Sequence, residues 1–209
     1  MVIAVDAVGG DHYPNSPVEG AVLAVEEDPS IEVILVGPEQ LVQEELNKHV
    51  YDHERIHVHH APQIVTMDES PIKAYKGKPQ SSISVGLQLH KTGESDAFVS
   101  NGNTGALLTI SMFTLGKLEG VLRPTIATLY PTIAGFRLLV DAGANLELKP
   151  EMYQQFGLMA SVYAENVMGI ENPRIGLMNV GHEPEKGTEL LQNTHELMKD
   201  LPNFVGNLE

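Results

Sequence analysis

Four short polar segments, each rich in small residues, hold the side chains best suited to chemistry in this 209-residue chain. The first is Asp6-Ala7-Val8-Gly9-Gly10-Asp11-His12. Gly9 and Gly10 permit close backbone approach, and Asp6 and Asp11 could position donors or polarise a ligand, although carboxylates around a glycine pair are also ordinary turn chemistry. The second is Ser100-Asn101-Gly102-Asn103-Thr104-Gly105-Ala106, between an apolar strand and an apolar helix. Small residues let backbone N–H groups converge, and a helix N-terminus adds unpaired donors and partial positive charge. Asn101, Gly102, Asn103, Thr104 and Gly105 therefore read as a phosphate site, a role compatible with Asn103 or Thr104 also capping the helix. In the third segment, Asp141 to Asn145 leads to Lys149-Pro150. Asp141 could serve as a base, orient a donor or cap a turn, and Lys149 could meet an anion or stay solvated. The fourth, Asn179 to Gly187, offers Lys186 as a cation for a phosphate or a developing oxyanion, just ahead of a helix that Thr188 can cap.

Composition removes several other chemistries. With no cysteine there is no thiolate nucleophile, no thiolate metal site and no disulfide scaffold, and no GxSxG elbow supplies an activated serine. The 28 Asp and Glu against 13 Lys and Arg, a formal charge of −15, argue against nucleic acid as a partner. His57 and His59 share one strand face without acidic neighbours in sequence, so no metal is expected there, and no cofactor motif is present. Lys73, Lys76 and Lys78 form a basic turn that is either solvated or a dock for an anionic partner. The opening residues lack a signal-peptide pattern, and no apolar run approaches bilayer-spanning length.

The elements that must position these loops alternate between strand and helix. Val2 to Val5 is an apolar strand, and Ser16-Pro17-Val18-Glu19 reads as a capped helix start with Val18, Ala21, Val22 and Val25 on one stripe. Ile31 to Val36 is a second buried strand. Further strands are expected near Ile56 to His59, Ala97 to Val99, Thr125 to Leu129, Phe136 to Val140 and Ile175 to Val180, with Pro131 marking a turn between two of them. Helices are expected at Ser82 to His90, at Gly105 to Leu115 as a segment buried on most sides, from Pro150 to Gly169, and at Thr188 to Lys199. This alternation specifies an α/β fold, a layered α/β/α arrangement around a mostly parallel, doubly wound sheet. Residues 1–209 read as a single domain truncated at its C-terminal end, because Asn203 to Glu209 looks like the start of another element. Ligands of such sheets bind beyond the carboxyl ends of the strands, where all four segments fall.

The stretches IAVDAVGGDHYP, VTMDESPIKAYKGKPQSSISVG, VSNGNTGALL, RPTIATLYPT, LLVDAGANLELKPEMYQQFGLMASVYAENVMGIENPRIGLMNVG and EKGTELL, in this order and with the ILVG strand end, resemble the PlsX phosphate acyltransferases across essentially the whole chain. Asn101, where a small residue is expected, and His182, in a usually acidic or polar stretch, depart from that pattern. The resemblance implies a phosphotransacetylase-like fold and a homodimeric enzyme, cytoplasmic or peripheral at the membrane. It would convert fatty acyl-[acyl carrier protein] and inorganic phosphate into acyl phosphate and free carrier protein for phospholipid synthesis, without a cofactor, and feed a membrane glycerol-phosphate acyltransferase. Within that mechanism phosphate attacks the thioester directly. The Asn-rich loop holds it, Lys186 or Arg123 neutralises it or the tetrahedral oxyanion, and Asp6 or Asp141 orients these groups or handles the thiol proton. Gly9, Gly10, Asp11, Asn145, Lys149 and Gly187 complete the expected substrate-binding set, and Lys73 to Lys78 is the candidate dock for the acidic carrier protein. The competing readings are a phosphotransacetylase acting on coenzyme A thioesters, a non-catalytic carrier-protein scaffold, and a nicotinamide dehydrogenase. The last lacks both a GxGxxG first loop and a carboxylate after the second strand.

Overall fold

The computed structural model describes residues 1–133, 135–145 and 147–209, which fold as two compact units, Met1–Gly116 and Lys117–Glu209. In the first, strands β1 (Val2–Asp6), β2 (Glu32–Gly37), β3 (Ile56–His60) and β4 (Ala97–Val99) form one parallel sheet in the order β3-β2-β1-β4. Both faces are covered. Along β2, Val33 and Leu35 pack with Val18, Val25, Val42 and Leu46 of helices α1 (Asn15–Glu27) and α2 (Glu39–Leu46). On the other face, Ile34 and Val36 pack with Val85 and Leu89 of α4 (Ser82–Thr92). The two-residue period of the strand thus feeds two cores, which is why β2 is a continuous apolar run. Each fully buried Leu or Val contributes about 1.5 to 3 kcal/mol relative to exposure.

Helix α3 (Pro71–Gly77) and α5 (Thr104–Thr114) build a third cluster with α4 around Ala74, Ile83, Leu87, Ala106 and Ile110. Helix α4 begins at Ser81, whose side chain accepts a hydrogen bond from the Ser84 N–H, and ends at Gly93 in the left-handed region (φ +80). Gly86 lies on its packed face because the Phe98 ring occupies the space a Cβ would need.

Two expectations for this unit change. Helix α1 starts one residue before Ser16, behind Pro14, with no side-chain cap. The carbonyls of His12 and Pro14 already accept from the N–H groups of Ser16 and Val18 at 2.9 and 3.1 Å, so a preceding turn does the work assigned to Ser16 and Glu19. Helix α5 is also less enclosed than its composition suggests. Only Ala106 and Ile110 are buried, and Phe113 is 57% exposed, stacked on Tyr75 at 4.4 Å.

In the second unit, β5 (Ala127–Thr132) and β6 (Gly135–Val140) pair antiparallel as a two-stranded sheet of their own, rather than joining a parallel ladder. Pro131 lies inside this ladder opposite Phe136, not in a turn. Strands β7 (Ile175–Met178) and β8 (Phe204–Leu208) pair in parallel, so the element expected to start near Asn203 is a strand of this unit. Helices α6 (Pro150–Asn166) and α7 (Glu189–Met198) accompany them, with Tyr153, Leu191 and Met198 packed on Ile175 and Leu177. Thr188 caps α7 as expected, accepting from the Leu191 N–H.

Candidate functional site

The sheet of the first unit reverses its direction of build-up between β1 and β4. Chain order runs outward from β1 to β2 and β3, and then β4 returns to the opposite side of β1. Loops leaving neighbouring strands on either side of such a switch diverge and leave a crevice at the carboxyl ends. Here the two loops are those beginning at Asp6 and Ser100, since Val5 and Val99 are register partners.

Asp6 is 2% exposed and anchors both loops. Its Oδ1 accepts the Val8 N–H at 3.2 Å, and its Oδ2 accepts the Ser100 hydroxyl at 2.7 Å; Ser100 Oγ in turn accepts the Gly102 N–H at 3.0 Å. Burial raises the Asp6 carboxyl above its ordinary range, while hydrogen bonds from Ser82, Ser100 and Val8 pull it partly back. Because both oxygens are engaged, the arrangement suits Asp6 to holding the loops in register. Gly9 rests against them so closely that a Cβ there would lie 2.6 Å from Asp6 Oδ2 and 2.8 Å from the Gly102 nitrogen. Gly10, at φ +89, lies against Asn101. The structure therefore brings together Asp6, Gly9, Gly10, Asn101 and Gly102, while Asp11 is exposed.

Asn103 is the cap of α5, accepting the Ala106 N–H at 3.0 Å. Its amide nitrogen is committed elsewhere, facing the carbonyls of Thr66, Met67 and Glu69 at 3.1, 3.1 and 2.9 Å. Asn103 thus shapes the site without offering its side-chain donors to a ligand, unlike the role read from sequence. Gly105 also has a packing reason: a Cβ would lie 2.8 Å from Pro71 Cγ. What remains for an anion is the N-terminus itself. Among the described residues the N–H groups of Thr104 and Gly105 have no hydrogen-bond partner, and the Thr104 side chain is exposed beside them.

In the second unit, Asp141 Oδ1 accepts the Thr125 hydroxyl at 2.8 Å and the Ile126 N–H at 3.1 Å, and Oδ2 accepts the Asn145 N–H at 2.8 Å. Partial burial pushes this carboxyl up, but the bonds from Ile126, Thr125 and Asn145 outweigh it and hold it below the ordinary value. A carboxylate so engaged is a weak base and a strong organiser. Asn145 completes the knot by donating to the Pro124 carbonyl at 3.2 Å, next to the exposed Arg123. Lys149 is exposed at the cap position of α6, without a capping side-chain bond. In the loop after β7, Asn179 donates to the Lys186 carbonyl at 3.1 Å. Gly187 sits at φ +83 where any Cβ would collide with Asn179 Oδ1. Lys186 is exposed, its stem lying over Gly181.

Lys78 is not part of a solvated turn. Its ammonium is bonded to the Glu69 carboxylate and, at 2.7 Å, to the Ile64 carbonyl, which fixes the segment that Asn103 also grips. Lys73 and Lys76 remain exposed. Three participants escaped the sequence reading of roles: Ser82 and Ser100, which serve Asp6, and Thr125, which serves Asp141. Ser100 was visible in the polar run, but nothing in sequence tied it to a carboxylate 94 positions away. Among the described residues there is no group of three or more potential metal ligands, and no helix is long and apolar enough to cross a membrane.

The profile of a family described as fatty acid synthesis protein matches residues 1–209. Relatives named phosphate acyltransferase are 47% identical in Acetivibrio thermocellus and 46% identical in both Alkaliphilus oremlandii and Desulfitobacterium hafniense. Each match covers the whole chain but only 62% of the relative, so the chain spans about three fifths of their length. Among solved structures, a phosphotransacetylase from Streptococcus pyogenes is similar with a TM-score of 0.73, and the EutD phosphotransacetylase from Staphylococcus aureus with 0.66. Both are 15% identical, over all of this chain and 68% of theirs, a likeness of fold.

Proposed function

The chain belongs to the fatty acid synthesis protein family, and from that premise we propose that the complete protein is a phosphate acyltransferase making acyl phosphate from a fatty acyl thioester and inorganic phosphate. The observation that carries the reading is the pair of N–H groups, of Thr104 and Gly105, left without a partner among the described residues at the N-terminus of α5, at the topological switch point and beside loops locked by Asp6 and Ser100. A phosphate held there would be oriented by backbone N–H groups and Thr104. One of its oxygens attacks the thioester carbonyl carbon, a tetrahedral oxyanion forms, the carbon–sulfur bond breaks, and the departing thiolate takes up a proton. Orientation of the two bound reactants is then the main catalytic contribution. Lys186 and Arg123, the cations read from sequence as candidates for the oxyanion, are both exposed in the second unit, where Asp141 holds the loop next to Arg123.

The reading extends to an acyl carrier protein as thioester carrier, approached through Lys73 and Lys76, to a homodimer that is cytoplasmic or peripheral at the membrane, and to a downstream glycerol-phosphate acyltransferase in phospholipid synthesis. The deciding assay follows release of free carrier protein with and without phosphate, with hydroxylamine trapping the acyl phosphate. Phosphate-dependent release and trapping are expected, undiminished by a chelator. Equal release without phosphate would refute transfer to phosphate, and faster turnover of coenzyme A thioesters would reassign the carrier.

A further inference from the structure

A cleft of about 220 Å³ opens in the first unit between the loop after β1 and the segment after β3. Five of its eight lining residues are apolar: Val8, Tyr13, Ile64, Val65 and Met67. Val8 and Val65 are buried, whereas Tyr13 and Met67 are 40% and 53% exposed. Its walls are tied to the phosphate-loop candidate from both sides. Gly10, which lines it, has its missing Cβ 3.3 Å from Asn101 Cβ, and Thr66 and Met67 on the other wall present their carbonyls to Asn103 Nδ2. The cleft is therefore adjacent to the loop that leads into α5.

We propose that this cleft receives the first carbons of the acyl chain, and that Met67 and Tyr13 are determinants of acyl-donor binding. The inference rests on the acyl-transfer reading of the same site. Three properties support this occupant over others. No Lys or Arg lines the cleft and Asp11 is its one charged side chain, so an anion is disfavoured while an uncharged hydrocarbon is not. Covering the exposed Met67 and Tyr13 side chains removes apolar surface from water. Its volume is below the range that holds a drug-sized molecule, which fits a chain segment whose remainder continues outward.

The experiment compares the full-length protein with its Met67→Asp and Met67→Leu variants, using the melting temperature and three functional readouts. These are binding of a fluorescent polyene fatty acid, KM for a dodecanoyl thioester, and KM for phosphate. Met67→Asp is expected to weaken probe binding and raise the thioester KM about tenfold, the size of a 1.4 kcal/mol loss. Its phosphate KM and melting temperature should stay within twofold and about 2 °C of the parent, and Met67→Leu should behave as the parent. Unchanged probe affinity and thioester KM in Met67→Asp would overturn the proposal, as would an equal rise in the phosphate KM. Probe binding that is lost in Met67→Asp, in a parent with no phosphate-dependent turnover, would support the cleft while refuting acyl transfer.

Discussion

Replacing Thr104 and Asn103 one at a time separates ligand binding from architecture at adjacent residues. Asn103 accepts the Ala106 N–H as helix cap and presents its amide to the carbonyls of Thr66, Met67 and Glu69. Asn103→Ala loses a cap worth about 1 kcal/mol. It also strips partners from the three carbonyls; with about 1 kcal/mol for each of two well-made bonds, the total is about 3 kcal/mol. For a chain of this length that lowers Tm by about 6 to 12 °C. Thr104 makes no comparable internal bond among the described residues, and its side chain is exposed. Thr104→Ala should leave Tm within about 2 °C. If the hydroxyl donates to bound phosphate, its loss costs about 1.5 to 3 kcal/mol, a ten- to hundredfold rise in the phosphate KM. Thermal denaturation and phosphate titration on the same two variants are the assay. A Thr104→Ala protein with parental phosphate kinetics would refute placement of the anion at α5, and the Gly181 to Gly187 loop with Lys186 would become the next site to test.

Gly9→Ala should destabilise the protein by about 1 to 3 kcal/mol, because its Cβ must displace Asp6 or Gly102, whereas Gly20→Ala on an open face of α1 should stabilise it by about 0.5 to 1 kcal/mol. Thermal melts check both. The Asp141 carboxyl is held below its ordinary value, so its stabilising contribution is present above the unfolded pKa of about 3.9 and is lost as pH falls through the lower folded value. Asp141→Asn should therefore be less stable than the parent at pH 7, and the gap should close as denaturation is repeated below pH 4; a gap independent of pH would show that the charge is not what matters. Lys78→Ala should lower Tm by loosening the segment that Asn103 grips, while Lys73→Glu with Lys76→Glu should leave Tm unchanged and weaken carrier-protein binding, measured by titration.

Short-range signals were the legible ones. The strand at Ala97–Val99, the cap at Thr188 and the helical stripe that begins at Ser82 depend on residues a few positions apart, and the sequence reading located them. Pairing was not legible in the same way. Nothing within β5 and β6 distinguishes a strand destined for a parallel sheet from one that folds back antiparallel, because the choice lies in which neighbour is reached, not in local propensity. The site divides along the same line. That Asp6 and the Asn101 to Gly105 run lie in loops at the carboxyl ends of neighbouring elements was readable from sequence. That Asn103 would spend its donors on carbonyls more than thirty residues away was not, since an amide looks equally available to a ligand and to a distant loop.

The charge pattern of the first unit bears on why an acidic protein would hold an anion this way. The loops from Asp6 to His12 and from Ser100 to Gly105 contain no Lys or Arg, so a phosphate there would meet neutral donors and a helix terminus. For a ligand that must act as nucleophile this is an advantage. A cation paired directly with the phosphate draws electron density from the attacking oxygen, whereas N–H donors fix its position with less neutralisation. A cation serves better at the carbonyl oxygen, where negative charge appears only as the tetrahedral species forms, and there it stabilises the transition state more than the bound reactants. The division predicts that charge-removing substitutions and donor-removing substitutions fail differently. Were either exposed cation of the second unit, Lys186 or Arg123, to serve the carbonyl oxygen, its substitution, Lys186→Met or Arg123→Met, should lower kcat by about ten- to a hundredfold with little change in the phosphate KM, from loss of one charge-assisted hydrogen bond of about 1.5 to 3 kcal/mol. Thr104→Ala should instead act mainly through the phosphate KM. If both cation variants raised the phosphate KM and spared kcat, the cation would belong on the phosphate, and the neutral cradle at α5 would be the wrong place for it.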